Sequence, residues 1–215
     1  MRSANADRFN HDDDADGYDA DVRDESHPIR AGYDAVLSWV AAQVPDGSGV
    51  VVDLGSGTGN LAVRITAPQR LICVDISADM SAIATDKLAG RPFELIQADL
   101  LECFDTLPTA DAIVSTYAIH HLTPDEKRVL FERCYERLAP DGVAAFGDLM
   151  FESRAAEAEL LDAYARSGRA ELVRDIRDEF FWHVDQCCEQ LSVIGFEASA
   201  QRFSELSWGI VASKR

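Results

Sequence analysis

The chain has 215 residues and a formal net charge of −18 at pH 7. Its length suits one domain with a sizeable hydrophobic core. The acidic excess argues against nucleic acid or an anionic membrane surface as a partner, because both attract clustered Lys and Arg. The five cysteines include no Cys-x-x-Cys pair, so the sequence predicts neither a disulfide framework nor a metal site. We expect a cytoplasmic protein, because no membrane-length apolar run and no signal-peptide core are present.

An acidic segment opens the chain at residues 1–27. It has few apolar residues and cannot bury much surface by itself. Phe9, Tyr18 and Val22 are spaced apolar anchors in this background. We predict that the anchored part folds over a ligand as a lid, whereas the first eight or so residues are expected to be disordered.

The main domain is predicted to cover residues 28–215 and to begin with a helix over 28–44. A short apolar run, Val50–Val52, then indicates a buried strand over Val50–Leu54, and glycines at 55, 57 and 59 follow it. A further helix is predicted over 58–66. Glycine lets a backbone turn sharply and lie close to a ligand. Strand, turn and helix therefore predict the first crossover of a doubly wound α/β sheet, which binds nucleotides at the carboxyl end of the strand.

Short apolar runs alternate with amphipathic helices through most of the remaining chain, which predicts a parallel sheet with helices on both faces. Residues 152–180 interrupt the alternation with charged helical sequence, and we expect this insertion to shape a substrate pocket. Two consecutive strands at the end indicate an antiparallel hairpin. The expected fold is therefore Rossmann-like, with a mostly parallel seven-stranded sheet. After the first, its strands are predicted at 71–74, 93–97, 112–115, 143–146, 197–203 and 207–212.

Polar residues end the first four predicted strands. Asp53 ends the first, and Asp75, 20 residues after Gly55, ends the second. That separation is usual between a glycine turn and a carboxylate that accepts hydrogen bonds from ribose hydroxyls. Asp99 follows the third strand, where it could accept a hydrogen bond from an adenine amino group. Ser115 ends the fourth, and all four residues are expected at one ligand-binding edge.

The glycine spacing separates two classes of nucleotide-binding protein. A dinucleotide fingerprint has its third glycine five residues after the first, but this position is Asn60 here. The chain instead resembles the class I S-adenosylmethionine-dependent methyltransferases. The likeness lies in Val51-Val52-Asp53-Leu54-Gly55-Ser56-Gly57-Thr58-Gly59, Val74-Asp75-Ile76-Ser77, Gln97-Ala98-Asp99-Leu100 and Leu138-Ala139-Pro140-Asp141-Gly142-Val143.

A closer likeness is to the small bacterial YrrT-like methyltransferases. It lies in Ala15-Asp16-Gly17-Tyr18-Asp19, Val114-Ser115-Thr116-Tyr117-Ala118-Ile119-His120-His121-Leu122 and Gly195-Phe196. The resemblance implies S-adenosylmethionine as the cofactor and S-adenosylhomocysteine as the product. It implies that glycines approach the methionine portion, Asp75 binds the ribose and Tyr18 closes the lid. The residues assigned to the cofactor are Tyr18, Asp53, Gly55, Gly57, Asp75, Ile76, Asp99, Leu100 and Ser115.

Methyl transfer from a sulfonium is an in-line displacement that proximity and desolvation can accelerate. A base is needed only where the acceptor must lose a proton. His120 follows the fourth strand and could be that base, since histidine titrates near neutrality; the alternative is a capping or core histidine. We assign His120 and Tyr117 to catalysis. Candidates for substrate contact are His121, Asp148, Phe151 and Trp182.

The sequence therefore predicts methyl transfer from S-adenosylmethionine to a small molecule. A sulfur or nitrogen acceptor is preferred on the resemblance alone. One alternative is a nicotinamide-dependent oxidoreductase, against which Asn60 argues. The other is an S-adenosylmethionine-binding protein without catalysis. We expect a monomer or homodimer that binds neither nucleic acid nor membrane.

Overall fold

A computed structural model describes residues 1–10, 12, 15–66 and 68–214. Within this part of the chain the helices are α1 (Ala15–Asp21), α2 (Tyr33–Ala42), α3 (Ala78–Lys87), α4 (Pro124–Arg137), α5 (Arg154–Arg166), α6 (Ala170–Asp178) and α7 (Val184–Ile194). The strands are β1 (Val50–Leu54), β2 (Arg70–Asp75), β3 (Glu94–Gln97), β4 (Ala110–Thr116), β5 (Leu138–Phe151), β6 (Trp182–His183), β7 (Phe196–Arg202) and β8 (Ser207–Lys214). Short 3-10 turns occur at Ala62–Arg64, Cys103–Asp105 and Ile119–His121.

The main sheet has the order β3-β2-β1-β4-β5-β8-β7. The five strands from β3 to β5 pair in parallel, and β8 pairs antiparallel with both β5 and β7. The chain order reverses between β1 and β4, the point at which open α/β sheets bind their ligands. The structure thus confirms the predicted Rossmann-like fold with its antiparallel edge hairpin. It adds an eighth strand, the two-residue β6 beside β5, which is too short to show a periodicity.

Each face of the sheet carries its own hydrophobic core. On one face α4 and α7 pack through residues such as Phe131 and Leu191. On the other, α2 packs through Val36, Leu37 and Val40, together with α5 and α6 from the insertion. The sequence Thr123-Pro124-Asp125-Glu126 predicts a capping box, and one is present at the start of α4, because Thr123 and Glu126 each bond the other's backbone N–H. In the described part of the chain, no helix combines the length and the apolarity needed to cross a membrane.

Two predicted helices differ from the structure. The helix over 58–66 was wrong: turns and one 3-10 turn occupy this stretch. Gly59 has φ +81°, and a Cβ there would lie 3.3 Å from the Cβ of Ala84, so the chain turns tightly against α3. The helix predicted over 28–44 begins only at Tyr33, because Gly32 is left-handed at φ +82°.

Candidate active site

A cavity of about 260 Å³ lies at the carboxyl ends of β1 to β4. The glycine turn, the strand ends, the N-terminal segment and the end of α6 line it. Of the fifteen residues assigned from the sequence to the cofactor, to catalysis or to substrate contact, ten are among its lining: Tyr18, Gly55, Gly57, Asp75, Ile76, Asp99, Leu100, Tyr117, His120 and His121. Five others are outside the lining: Asp53, Ser115, Asp148, Phe151 and Trp182.

The glycine turn forms the wall of the cavity beside β1. Gly55 has φ +68°, and a Cβ there would lie 2.3 Å from the Cβ of Ala118. The backbone N–H groups of Gly55 and Ser56 donate to the carbonyl of Val74, at 2.8 and 2.9 Å. Only glycine fits at position 55, and the turn is held against the end of β2.

Asp75 lies next to this turn with its carboxylate fixed by the main chain. Its Oδ2 accepts a hydrogen bond from Gly57 N at 2.7 Å, and its Oδ1 accepts one from Ser77 N at 2.9 Å. Ser77 also caps α3 by accepting from Met80 N. The main chain therefore holds this carboxylate rigidly at the cavity.

Asp99 is held by the N-terminal segment. Ser3 donates its amide N–H to Oδ1 at 3.0 Å and its hydroxyl to Oδ2 at 2.5 Å, and Leu101 N donates to Oδ1 at 2.9 Å. Nearby, Ala4 N donates to Glu126 Oε1 at 2.6 Å. The structure thus differs from the expected disorder of the first residues, because the carboxylates of Asp99 and Glu126 accept their backbone N–H groups.

Helix α1 is tied to the glycine turn through Asp19. Its carboxylate accepts hydrogen bonds from Thr58 Oγ1 at 2.7 Å and Asn60 Nδ2 at 2.9 Å, and it pairs with Lys87 at 2.5 Å. Burial raises the pKa of Asp19, but these hydrogen bonds outweigh it and leave the pKa below its usual value. Tyr18 beside it lines the cavity. The acidic segment therefore contributes part of the cavity lining, through Ser3, Asn5, Ala6, Phe9 and Tyr18.

Asp53 and Ser115 lie beneath the cavity and not in its wall. Asp53 is fully buried, and among the described residues neither of its oxygens has a hydrogen-bond partner. Burial, with a smaller contribution from the charge of Asp75, raises the pKa of Asp53 to about 8. Ser115 donates its hydroxyl to the carbonyl of Leu54 at 2.6 Å, so its side chain joins β4 to β1. Direct contact of either residue with the cofactor is therefore not supported by their positions.

His120 and Asp148 form a buried pair at the other end of the cavity. Nδ1 of His120 lies 2.5 Å from Asp148 Oδ1, and His120 N donates to Asp148 Oδ2 at 3.0 Å. Leu149 N also donates to Oδ1, at 2.8 Å. Asp148 is 1% exposed, so it acts on His120 and not, as predicted, on a substrate. A carboxylate there favours the tautomer with the proton on Nδ1 and leaves Nε2 as the acceptor.

A second histidine–carboxylate pair lies beside the first. Nδ1 of His121 is 3.0 Å from Glu179 Oε2, and the two histidine rings are 4.0 Å apart. Phe9 from the N-terminal segment stacks on His121 at 4.2 Å. Sequence reasoning missed Glu179, because it follows α6, 58 residues after His121, and no local pattern marks it.

Lys127 was also missed. Its ammonium donates to the carbonyls of Leu122 and Phe180, the latter at 2.5 Å, and it is 4% exposed. Burial lowers its pKa to about 8. Lys127 therefore joins the end of the 3-10 turn that carries His120 and His121 to the end of the insertion. In the sequence, Lys127 is only the fourth residue of an amphipathic helix, and this position gives no direct indication that its side chain is buried.

Tyr117 lines the cavity in a strained backbone conformation, with φ +51°. Such a conformation is uncommon for a bulky residue and is concentrated at functional sites. Its ring stacks on Tyr33 at 4.9 Å, and its hydroxyl donates to Ser207 at 3.3 Å. Burial raises its pKa well above the usual value, so the phenol stays protonated near neutral pH.

The two remaining aromatic candidates are core residues. Trp182 is 6% exposed and stacks on Phe131 at 5.6 Å. Phe151 is 2% exposed and packs 5.8 Å from Phe181, which itself lines the cavity. The prediction that these two contact a substrate is therefore corrected. Leu149 of β5 and Phe181, which follows the insertion, line the cavity instead.

Comparison with known proteins identifies the family to which the chain belongs. A methyltransferase-domain family model matches residues 51–142. An uncharacterised methyltransferase from Oceanobacillus iheyensis is 32% identical over 95% of this chain and 92% of its own length. The uncharacterised methyltransferase YrrT of Bacillus subtilis is 31% identical over 86% of this chain and 85% of its own length.

Solved structures share the fold at lower identity. A complex titled DhpI-SAM-HEP superposes with a TM-score of 0.70 at 20% identity, over 96% of this chain and 95% of that one. Magnesium protoporphyrin IX methyltransferase from Synechocystis PCC 6803 with bound SAM gives 0.64 at 17% identity, over 98% and 95%. Fold, glycine turn and relatives agree: the chain belongs to the S-adenosylmethionine-dependent methyltransferases, in the family that includes YrrT.

Proposed function

We propose that this methyltransferase methylates a small molecule at a sulfur or nitrogen atom by in-line displacement. The observation that carries the proposal is the extent of one cavity. It reaches from the glycine turn and Asp75 to the paired histidines His120 and His121. A methyl donor held at the first end would present its sulfonium towards the second, where the acceptor would lie.

The donor end has the groups that S-adenosylmethionine needs. We propose that Gly55 and Gly57 bring the main chain close to its methionine portion, because a side chain at Gly55 would collide with Ala118. Asp75 would accept hydrogen bonds from the ribose hydroxyls. The adenine would lie between Ile76 and Leu100, with its amino group donating to Asp99. All of these residues except Ala118 carry over directly from the sequence prediction, and all line the cavity.

The acceptor end offers a base and a fixed phenol. We propose that Nε2 of His120 takes the proton of a thiol or an ammonium, which frees the lone pair of the sulfur or nitrogen that then attacks the methyl carbon. Asp148 keeps the proton of His120 on Nδ1 and would stabilise the imidazolium that forms. Tyr117 would shape the site without titrating. Glu179 and Asp175 line the same end, which favours a neutral or cationic acceptor over an anionic one.

The segment of residues 1–27 is proposed as a lid, and residues 152–180 as the insertion that shapes the acceptor site. Asp19 joins the lid to the glycine turn, whereas Ser3 donates hydrogen bonds to Asp99, the carboxylate proposed to bind adenine. Cofactor binding would therefore require Ser3 to leave Asp99 while α1 stays in place. The enzyme is further proposed to be a cytoplasmic monomer or homodimer that binds neither nucleic acid nor membrane.

Incubation with methyl-labelled S-adenosylmethionine and separate pools of thiols, amines and carboxylates tests this function. The expected result is labelled product in the thiol or amine pool with equimolar S-adenosylhomocysteine. Label confined to the carboxylate pool would contradict the acceptor class. Binding of S-adenosylhomocysteine without turnover in any pool would instead support the non-catalytic alternative.

A further inference from the structure

We propose that His120, His121 and Glu179 form a binding site for a divalent d-block cation such as Zn²⁺. One ring nitrogen of each histidine and one carboxylate oxygen of Glu179 lie within 4.8 Å of one another. His121 Nδ1 and Glu179 Oε2 are 3.0 Å apart. Tetrahedral Zn²⁺ with bonds of about 2.0–2.2 Å separates its ligand atoms by about 3.3–3.6 Å. Small side-chain rotations would therefore bring all three ligand atoms onto one ion.

The two segments that carry these ligands are fixed to each other. His120 and His121 end a 3-10 turn, and Glu179 caps the carboxyl end of α6. Phe180 N donates to the carbonyl of His120 at 3.0 Å. The Lys127 ammonium bonds the carbonyls of both segments. Ligands from two parts of the chain are thus already assembled, which lowers the cost of binding an ion.

Asp148 supplies the outer-shell partner that metal-bound histidines usually have. Its Oδ1 lies 2.5 Å from Nδ1 of His120, which leaves Nε2 to act as a ligand. Carboxylate–histidine–metal arrangements of this kind fix the tautomer and strengthen the ligand. Phe9 stacks on the face of the His121 ring. This contact is compatible with coordination, because the lone pairs of ring nitrogens lie in the ring plane.

The ligand set indicates the class of ion. Two imidazoles and one carboxylate suit Zn²⁺, Co²⁺ or Fe²⁺, whereas Mg²⁺ and Ca²⁺ prefer oxygen ligands. Three protein ligands leave a position for a small molecule from the cavity. Resting on the proposed function, a thiol acceptor bound there would lose its proton to solvent as the metal–sulfur bond forms. Its sulfur would then form the new S–CH₃ bond as the methyl–sulfonium bond breaks and S-adenosylhomocysteine leaves. With an ion bound, Nε2 of His120 would be a ligand, so the role proposed for it as a base applies to the metal-free enzyme.

Equilibrium dialysis of the untagged, chelator-treated protein against Zn²⁺, with metal analysis, tests the site. A parallel Co²⁺ titration would report tetrahedral coordination by its visible absorption. We expect one ion per chain, with affinity at least tenfold lower in His121→Ala and in Glu179→Gln. The control is His183→Ala, because His183 Nε2 lies 2.9 Å from Glu157 Oε2 in a pair outside the cluster.

The proposal is overturned if wild type binds no ion, or if Glu179→Gln and His121→Ala bind as tightly as wild type. Equal losses in His183→Ala would also overturn it. Glu179→Gln keeps the size of the side chain, and thermal unfolding without metal checks that each variant folds. Titration with S-adenosylhomocysteine reports the donor site separately. Retained binding of that ligand without metal binding would reject the cation site and leave the proposed function intact.

Discussion

Ser3 donates its amide and its hydroxyl to the two carboxylate oxygens of Asp99, 96 residues further along the chain. Asp99 is the group proposed to accept a hydrogen bond from the adenine amino group. If Asp99 has that role, the N-terminal segment and the cofactor would compete for the same acceptor atoms. The affinity for the cofactor would then depend on Ser3, a residue outside the conventional nucleotide-binding elements.

Replacing Ser3 is expected to strengthen cofactor binding. Ser3→Pro removes both the N–H and the hydroxyl, whereas Ser3→Ala removes only the hydroxyl. Because hydrogen bonds to charged groups contribute about 1.5–3 kcal/mol and this site is only partly buried, we expect Ser3→Pro to lower the Kd for S-adenosylhomocysteine by about 3- to 10-fold. Ser3→Ala should have a smaller effect in the same direction. Isothermal titration calorimetry measures both.

Asp7→Asn is the control for Ser3, because it removes an exposed ion pair with Arg2 in the same segment and leaves the Ser3 contact in place. An increase in Kd on Ser3→Pro would contradict the competition. It would show instead that the segment belongs to the cofactor-bound closed state.

Asp148→Asn is expected to slow methyl transfer without weakening donor binding. Asparagine nearly preserves the shape of the side chain but removes the charge that stabilises protonated His120. General-base catalysis typically contributes 10²–10⁴-fold, so kcat should fall by about 100-fold or more with the acceptor found in the pool assay. The Kd for S-adenosylhomocysteine, measured by calorimetry, should stay within about twofold of wild type. Unchanged kcat would remove His120 from proton transfer.

Asp53 should make the stability of the ligand-free protein depend on pH. Burial raises the pKa of Asp53 to about 8 in the folded state, against 3.8 as the ordinary value. Between these values the unfolded chain releases the proton that the folded protein keeps. The contribution of Asp53 is therefore fully present below about pH 4 and is lost as pH rises towards about 8. Since one pKa unit corresponds to about 1.4 kcal/mol, the loss is on the order of several kcal/mol.

Asp53→Asn cannot titrate, so it should flatten this part of the pH profile. Urea unfolding at several pH values from about 5 to about 8.5, within and just above the interval over which the contribution of Asp53 is lost, measures the free energy of unfolding of the variant and of wild type. Asp46→Asn in an exposed turn is the control and should leave the wild-type profile unchanged. Parallel profiles for wild type and Asp53→Asn would show that Asp53 is ionised in the folded protein.

The sequence predicted the parts of the fold that depend on local pattern. The apolar run Val50–Val52 predicted a strand over Val50–Leu54, and these are its observed bounds. Thr123 and Glu126 marked the start of α4 because a capping box is a local motif. The helix over 58–66 failed because its shape depends on how closely Gly59 approaches Ala84 in α3, a contact that no local pattern reveals.

The candidate site divides in the same way. Gly55, Asp75 and Asp99 follow strands, and the carboxyl ends of parallel strands must meet, so their convergence was predictable. The partners of His120 and His121 were not. Asp148 comes from β5 and Glu179 from the insertion, and only the folded chain shows that each faces a histidine. Asp148 was predicted to contact a substrate, whereas its buried carboxylate lies against His120.

The central claim is that this cavity binds S-adenosylmethionine through Asp75. The most direct measurement is the Kd for S-adenosylhomocysteine in wild type, Asp75→Ala and Asp111→Ala. Asp111 is the matched control, because it also accepts two backbone N–H groups, from Gly49 and Val50, but at the opposite end of β1. We predict that Asp75→Ala alone weakens binding, by about 1–3 kcal/mol or roughly 5- to 150-fold. Equal affinity in wild type and Asp75→Ala would contradict the account.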